Sequence, residues 1–366
     1  MTIQAMGAVL RQANAPFKLE PIELAELAPG EVLVRNDACG ICHTDVIAGG
    51  MVPLPAVLGH EGCGTVELLG SGVSGLRVGD RVISSYPFCN ACSGCHAGRP
   101  YHCVHHMRLG FGGRRLDGSA TLSQEGAALS GAFFQQSSFA THSVVPQHNL
   151  VIAEQAYPAE HLAAIPCGVQ TGAGAILNTF GVSAGDSLAV LGCGTVGMSA
   201  VMAAKLAGAW PIVAVDMHQN RLDLALELGA TQVINASQGE VGRRILDICP
   251  NGVRYALETS GHEAALNDAL QALAIGGRCG MVIAPHMGRQ YPFDTSQIFK
   301  KAASLEGVIQ GSAVPRSFLP RLLDFQREGR FPFERLIKTY PFEQINRAFE
   351  DAANGSTVKA VLMFSH

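Results

Sequence analysis

Two short motifs in the first half of the chain carry the donor types of a metal site. Cys42-His43-Thr44-Asp45 and Gly59-His60-Glu61-Gly62-x-Gly64 lie seventeen residues apart. With a third thiolate from Cys167 they make a Cys2His set. Three protein ligands leave a fourth position for water or substrate, the arrangement of a catalytic zinc. A ligand histidine usually donates its second ring N–H to a carboxylate, and Asp45 is placed to serve His60. Glu61 adjoins the metal and is suited to assist ligand exchange. Taken singly, His60 reads as a core histidine and Cys42 as a small apolar residue; together they point to a metal.

A second cluster, Cys89-x2-Cys92-x2-Cys95-x7-Cys103, lies among Gly, Asn, Ser and His. Four thiolates at such spacings can close a tetrahedral zinc site and hold a loop with little apolar core of its own. The first three cysteines also fit a ferredoxin spacing, but the fourth lacks the x3 gap and following proline of an iron–sulfur ligand. His96, His102, His105 and His106 crowd the loop and read as solvent-facing, since four sulfurs fill the shell.

The third pattern is Leu188-Ala-Val-Leu-Gly192-Cys-Gly194-Thr-Val-Gly197. It reads as a strand, a G-x-G-x-x-G turn and a helix. Gly192 makes the tight turn, Gly194 admits a pyrophosphate, and Gly197 lets helix and strand pack closely. Amides at the helix N-terminus would face the phosphate charge. A second strand ends in Asp216, nineteen residues past Gly197. A carboxylate there accepts ribose hydroxyls of NAD and repels the extra phosphate of NADP. Arg221, on the same edge, either flanks the adenosine or is a solvated helix start. The alternative for the whole motif is a glycine-rich turn that serves packing alone.

The elements that must position these residues differ between the halves. Residues 1–155 read as β-rich, with short apolar runs at 31–36, 64–69 and 80–84 between Gly, Pro and Asp turns and no long helical period. From about Gly168, strands at 187–191, 211–215, 232–235, 255–258 and 279–283 alternate with helices at 195–207 and 221–228. That alternation predicts a doubly wound parallel sheet. Two helices at 318–326 and 342–353 and a strand at 360–364 follow. At 366 residues two domains are expected. We expect an α/β chain in which 1–168 and 310–366 form a catalytic domain with a zinc lobe at 85–110, and 169–309 form the dinucleotide-binding domain.

Composition narrows the function. The chain is 48% apolar and 15% charged, which excludes disorder. Its net charge of −4, with no basic cluster, argues against a nucleic-acid partner. The uncharged runs 162–185 and 187–204 are interrupted by Gly, Ser, Thr, Asn or Gln, so buried core is expected over a membrane span. Residues 1–17 show no apolar block of an export signal, so a cytoplasmic location is expected. Eleven cysteines, an odd number with seven of them between Cys39 and Cys103, favour metal ligation over a disulfide framework.

Taken together, Gly59-His60-Glu61-x2-Gly64-x5-Gly70-x2-Val73, the Cys42 run, the four-cysteine lobe, Cys167 and the glycine fingerprint resemble the zinc-containing alcohol dehydrogenases of the medium-chain dehydrogenase/reductase family, in the family's order and over essentially the whole chain. The segments 133–141, 166–175 and 331–338 are similar to its bacterial aryl-alcohol and geraniol-type branch. The resemblance implies a GroES-like catalytic domain beside a Rossmann domain. It also implies NAD, one catalytic zinc (Cys42, His60, Cys167) and one structural zinc (Cys89, Cys92, Cys95, Cys103) per subunit, and a homodimer or homotetramer paired along an edge strand near 305–309. By resemblance Thr44 is the first proton acceptor. Thr171 and Val196 shape the nicotinamide site, His43 and Lys359 contact the pyrophosphate, and Phe139 lines the substrate pocket, while Phe133, Phe134, Phe331 and Phe333 are core. Many members carry a relay histidine five residues after the first zinc cysteine; this chain has Ile47, so the proton must leave by another route.

The implied activity is oxidation of benzylic or allylic primary alcohols to aldehydes. Terpenoid or aliphatic alcohols are the rival substrates. A non-catalytic zinc- or NAD-binding protein is the rival class, opposed by the intact Cys42, Thr44, His60 and Cys167 set.

Overall fold

Glycine and proline turns cut the first third of the chain into strands too short to stand alone, so their stability depends on pairing across long sequence distances. The computed structural model describes residues 3–282 and 290–365. Ile283, the expected end of one strand, lies outside the described residues, as do Met1 and Thr2 of the stretch read for an export signal. The chain forms two compact units. Met1–Cys167, Val314–Arg321 and Leu336–His366 make the first, and Gly168–Ala313 with Leu322–Arg335 the second. Residues 322–335, expected with the catalytic unit, group with the second, where Arg335 pairs with Glu227.

The first unit holds two mostly antiparallel sheets. One runs in the spatial order Ala56–Val57, Ile3–Leu10, Lys18–Leu24, Leu122–Gln124, Ala127–Leu129. The other is organised around Glu31–Gly40, which pairs antiparallel with Gly62–Leu69, His142–Pro146 and the C-terminal strand Lys359–Met363. Side chains of a strand alternate between its faces. Accordingly Leu33 enters one core with Leu58, Phe133 and Phe139, while Val32 and Val34 enter another with Val66, Val82 and Val145. The absence of helical period in residues 1–155 needs one amendment. Helices His43–Ala48 and His106–Phe111 do form, six residues each, too short to show a period.

The second unit contains a six-stranded parallel sheet in the order Gln232–Asn235, Ile212–Asp216, Leu188–Leu191, Val253–Glu258, Leu273–Met281, Ser304–Gly307. Strands buried on both faces read as continuous apolar runs, and Leu188–Leu191 and Ile212–Asp216 are buried throughout. The strand order reverses between Leu188–Leu191 and Val253–Glu258, and the carboxyl ends at such a reversal are where dinucleotides bind. Helices Glu263–Ala272 and Val241–Ile248, not anticipated in the sequence, cover this sheet. Among the described residues no helix is long and apolar enough to cross a membrane.

Candidate active site

The strand Glu31–Gly40 delivers Cys42 to the N-terminus of helix His43–Ala48 in extended backbone. Asp45 closes that helix start. Its Oδ2 accepts the Cys42 N–H at 2.9 Å, while Oδ1 meets His60 Nδ1 at 2.9 Å and the Gly59 N–H at 3.3 Å. A carboxylate only accepts, so Nδ1 carries the proton and Nε2 is left as a bare acceptor. That Nε2 is buried and has no hydrogen-bond partner. Gly59 has a left-handed φ of +87°, and a Cβ there would lie 2.5 Å from the Phe139 amide nitrogen. Only glycine makes the turn that presents His60.

Cys167 sits on a π-helical turn, Ile165–Val169, a distortion common at functional sites. Its Sγ lies 3.8 Å from Cys42 Sγ, and both cysteines are unpaired thiols. Two thiolates held about 2.3 Å from one tetrahedral zinc ion stand about 3.8 Å apart. The donor atoms of Cys42, His60, Glu61 and Cys167 all lie within 4.8 Å of one another. The residues therefore fit a zinc ion. The hydrogen bond from Cys167 is the main influence pulling the Cys42 thiol well below its usual range, against burial, and Cys167 as its donor is pushed up. Burial opposes charge on His60, but Asp45 and Cys42 outweigh it and raise the imidazole.

Glu61 is fully buried, with Oε2 paired to the Lys359 ammonium and Oε1 unpartnered. Burial pushes its carboxyl up to about 7, against the pull of Lys359. Burial would neutralise Lys359, yet Glu61 and Cys42 hold it above its ordinary value. Lys359 also donates to the Ile41 carbonyl at 3.1 Å and is 1% exposed. Within the first unit the ammonium is paired to Glu61. Gly40 makes room for the pair, since a Cβ there would stand 2.0 Å from Glu61 Oε2.

The Cys42 thiol donates to the Thr44 hydroxyl oxygen at 3.6 Å, and His43 is exposed on the first turn of the same helix. Ile47, half-buried, occupies the relay position. Phe139 needs a correction. It is fully buried, edge-on to Phe17 and Phe349, so it is core rather than pocket lining. Phe134, read as core, is instead half-buried with its ring 4.6 Å from that of His60, and Phe111 stands edge-on to it at 5.5 Å. Phe133, Phe331 and Phe333 are fully buried. No sequence signal separates Phe134 from its neighbour; the difference arises from a left-handed backbone at Phe134, φ 50°.

The four lobe cysteines bring their sulfurs within 4.8 Å of one another. Cys92 N–H donates to Cys89 Sγ at 3.3 Å and Cys89 N–H to Cys103 Sγ at 3.2 Å, bonds that favour thiolates. His96, His102, His105 and His106 are exposed and stay outside the donor group.

In the second unit Gly192 takes φ +101°, and a Cβ on Gly197 would lie 1.8 Å from the Gly192 carbonyl oxygen. Nothing lies within 4 Å of the Cβ position of Gly194, which leaves a cradle at the helix start. Asp216, 9% exposed, accepts the Cys193 N–H at 2.7 Å and the His218 N–H at 2.9 Å. Arg221 approaches it at 3.9 Å. Thr171 is buried on Gln170–Gly174, and Val196 is half-buried on Thr195–Ala207. These helices touch because Gly172 lacks a Cβ, which would lie 2.0 Å from the Val196 carbonyl oxygen.

Comparison with known proteins agrees with this geometry. Residues 28–155 match the alcohol dehydrogenase GroES-like domain, and residues 195–327 match the zinc-binding dehydrogenase domain. The chain is 40% identical to a geraniol dehydrogenase of Castellaniella defragrans, over 99% of this chain and 98% of that one. It superposes with a TM-score of 0.97 on a zinc-binding-domain alcohol dehydrogenase of Burkholderia ambifaria, at 44% identity over 100% of both chains. It also superposes on the benzyl alcohol dehydrogenase of Acinetobacter calcoaceticus, with a TM-score of 0.95 at 38% identity over 99% of this chain and 100% of that one. The chain thus belongs to the zinc-containing alcohol dehydrogenases of the medium-chain dehydrogenase/reductase family.

Proposed function

We propose that this enzyme oxidises primary alcohols with a benzylic or allylic hydroxyl carbon to aldehydes, with NAD as acceptor. The observation that carries the reading is the buried, unpartnered His60 Nε2 near two sulfurs 3.8 Å apart, with the Phe134 ring tilted against the imidazole at 4.6 Å. Cys42, His60 and Cys167 would hold zinc; Cys89, Cys92, Cys95 and Cys103 would hold a second, structural ion. The bound metal supplies Lewis acidity that eases loss of the hydroxyl proton, and NAD supplies the hydride acceptor.

The chain's own residues do the rest. Thr44 takes up the hydroxyl proton. With Ile47 in the relay position, that proton passes onward through water or to a different base. Asp45 fixes the tautomer and direction of His60. Gly192, Gly194 and Gly197 bring the helix N-terminus to the pyrophosphate, with Asp216 on the ribose and Arg221 at its edge. Thr171 and Val196 flank the nicotinamide. The aromatic pair Phe134 and Phe111 favours flat, unsaturated substrates over polyols.

The test is a metal count joined to turnover of benzyl alcohol, geraniol and ethanol with NAD or NADP. Two zinc ions per chain, with benzyl alcohol or geraniol preferred over ethanol, are expected. A preference for ethanol would overturn the substrate class. The variant Asp216→Gly should narrow the NAD-to-NADP ratio of kcat/KM; an unchanged ratio would remove Asp216 from the ribose.

A further inference from the structure

The six residues Phe133–Ser138 hold an improbable backbone. Phe134, Gln135 and Ser137 all take left-handed φ, at 50°, 54° and 47°, and none is glycine. L-residues adopt that region only where surrounding contacts over-determine it, and such outliers concentrate at functional sites. Here the contacts are evident. Ser137 Oγ donates to the Val57 carbonyl at 2.7 Å and accepts the Phe133 N–H at 3.0 Å, and the Ser138 N–H donates to the Gly59 carbonyl at 2.9 Å.

The result of this conformation is a buried amide, Gln136, 1% exposed, set against the peptide units on either side of Glu61. Gln136 Nε2 donates to the His60 carbonyl at 3.0 Å and to the Ser85 carbonyl at 3.3 Å. Gln136 Oε1 accepts the Gly62 N–H at 3.1 Å and the Ser138 hydroxyl at 2.7 Å. All four hydrogen-bonding positions of the amide are filled, and only this orientation fills them, since a flipped amide would face oxygen to two carbonyls. Gly62 permits the approach, because a Cβ there would stand 2.3 Å from Ser138 Oγ. The same segment lays Phe134 on the His60 ring and brings Phe133 edge-on at 5.5 Å.

We infer that Gln136 is a positioning residue for the metal centre: by clamping the His60 carbonyl and the Gly62 N–H, it fixes the backbone from which His60 aims Nε2. Asp45 sets the rotation of the ring; Gln136 sets the place from which the ring projects. This rests on the reading that Cys42, His60 and Cys167 hold a metal. Partners of this kind typically hold about 10–100-fold of metal affinity.

The experiment compares wild type, Gln136→Leu, Gln136→Glu and Ser138→Ala, each loaded with zinc and then challenged with a chelator. It also records the cobalt(II) absorption spectrum after exchange at the three-ligand site. Gln136→Leu should lose the Cys42–His60–Cys167 metal about tenfold more readily, retain the four-cysteine metal, and show a shifted cobalt spectrum. Gln136→Glu keeps the acceptor side and loses the donor side, so it should fall between; it gives the same readout if the leucine variant does not fold. Ser138→Ala, which leaves the clamp on His60 intact, should behave as wild type. Gln136 variants whose three-ligand metal is released as slowly as in wild type, with an unaltered cobalt spectrum, would overturn the inference. So would equal loss from both sites. A wild-type protein that binds metal only at the four cysteines would instead overturn the functional reading itself.

Discussion

At the scale of single residues, the chemistry was more legible than its surroundings. Cys42, His60 and Asp45 suggest a metal site by type and spacing, because zinc accepts few donors and a ligand histidine needs an acceptor behind it, whereas Cys167 carries no local spacing signal. Aromatic residues carry no such mark. Phe139 and Phe134 are the same side chain five positions apart, yet one is core and the other stands over His60. The two positions should separate by experiment. Phe139→Ala removes a fully buried ring and should lower stability by about 3–5 kcal/mol, read from the denaturation midpoint. Phe134→Ala should leave stability much less changed and lower kcat/KM for benzyl alcohol relative to ethanol, by a factor corresponding to about 1–3 kcal/mol. An unchanged ratio would take Phe134 out of the substrate pocket.

At the scale of elements, legibility followed the range of the contacts. Thr195–Ala207 and Gln232–Asn235 stand where the sequence places them, since parallel strands and their crossover helices carry local apolar signals. The strands of the first unit take their meaning from distant partners, such as Gly40 opposite Val361, and local pattern says nothing of them. The four-cysteine lobe is a third case, an element with little apolar core. Its short helix Ser93–His96 has no buried residue, so a metal held by the four sulfurs would be what orders it. Cys103→Ser should therefore leave three ligands, loosen the lobe and expose residues 89–103 to limited proteolysis, with the rest of the chain resistant. Cleavage at an unchanged rate would mean the loop stands without its metal.

At the scale of the whole molecule, the C-terminal strand does more than complete a sheet. Lys359–Met363 returns 298 residues along the chain to set an ammonium against Glu61, in a site with almost no solvent. A buried charge is tolerable when paired and expensive when alone; removing one partner of such a pair costs about 3–5 kcal/mol. Lys359→Met should thus destabilise the protein, because Glu61 must then either hold a desolvated, unpaired charge or take up a proton. Glu61→Gln in the same background removes the charge that Lys359 balanced, so the double variant should be less destabilised than the two single changes summed. Denaturation midpoints of the four proteins measure the coupling. A coupling near zero would mean that the closeness of the two groups carries no energy, and that the strand is held by its ladder alone. Strong coupling would tie the chain's last strand to the carboxylate beside Cys42 and His60. Truncation before Lys359 would then weaken the metal centre as well as the sheet.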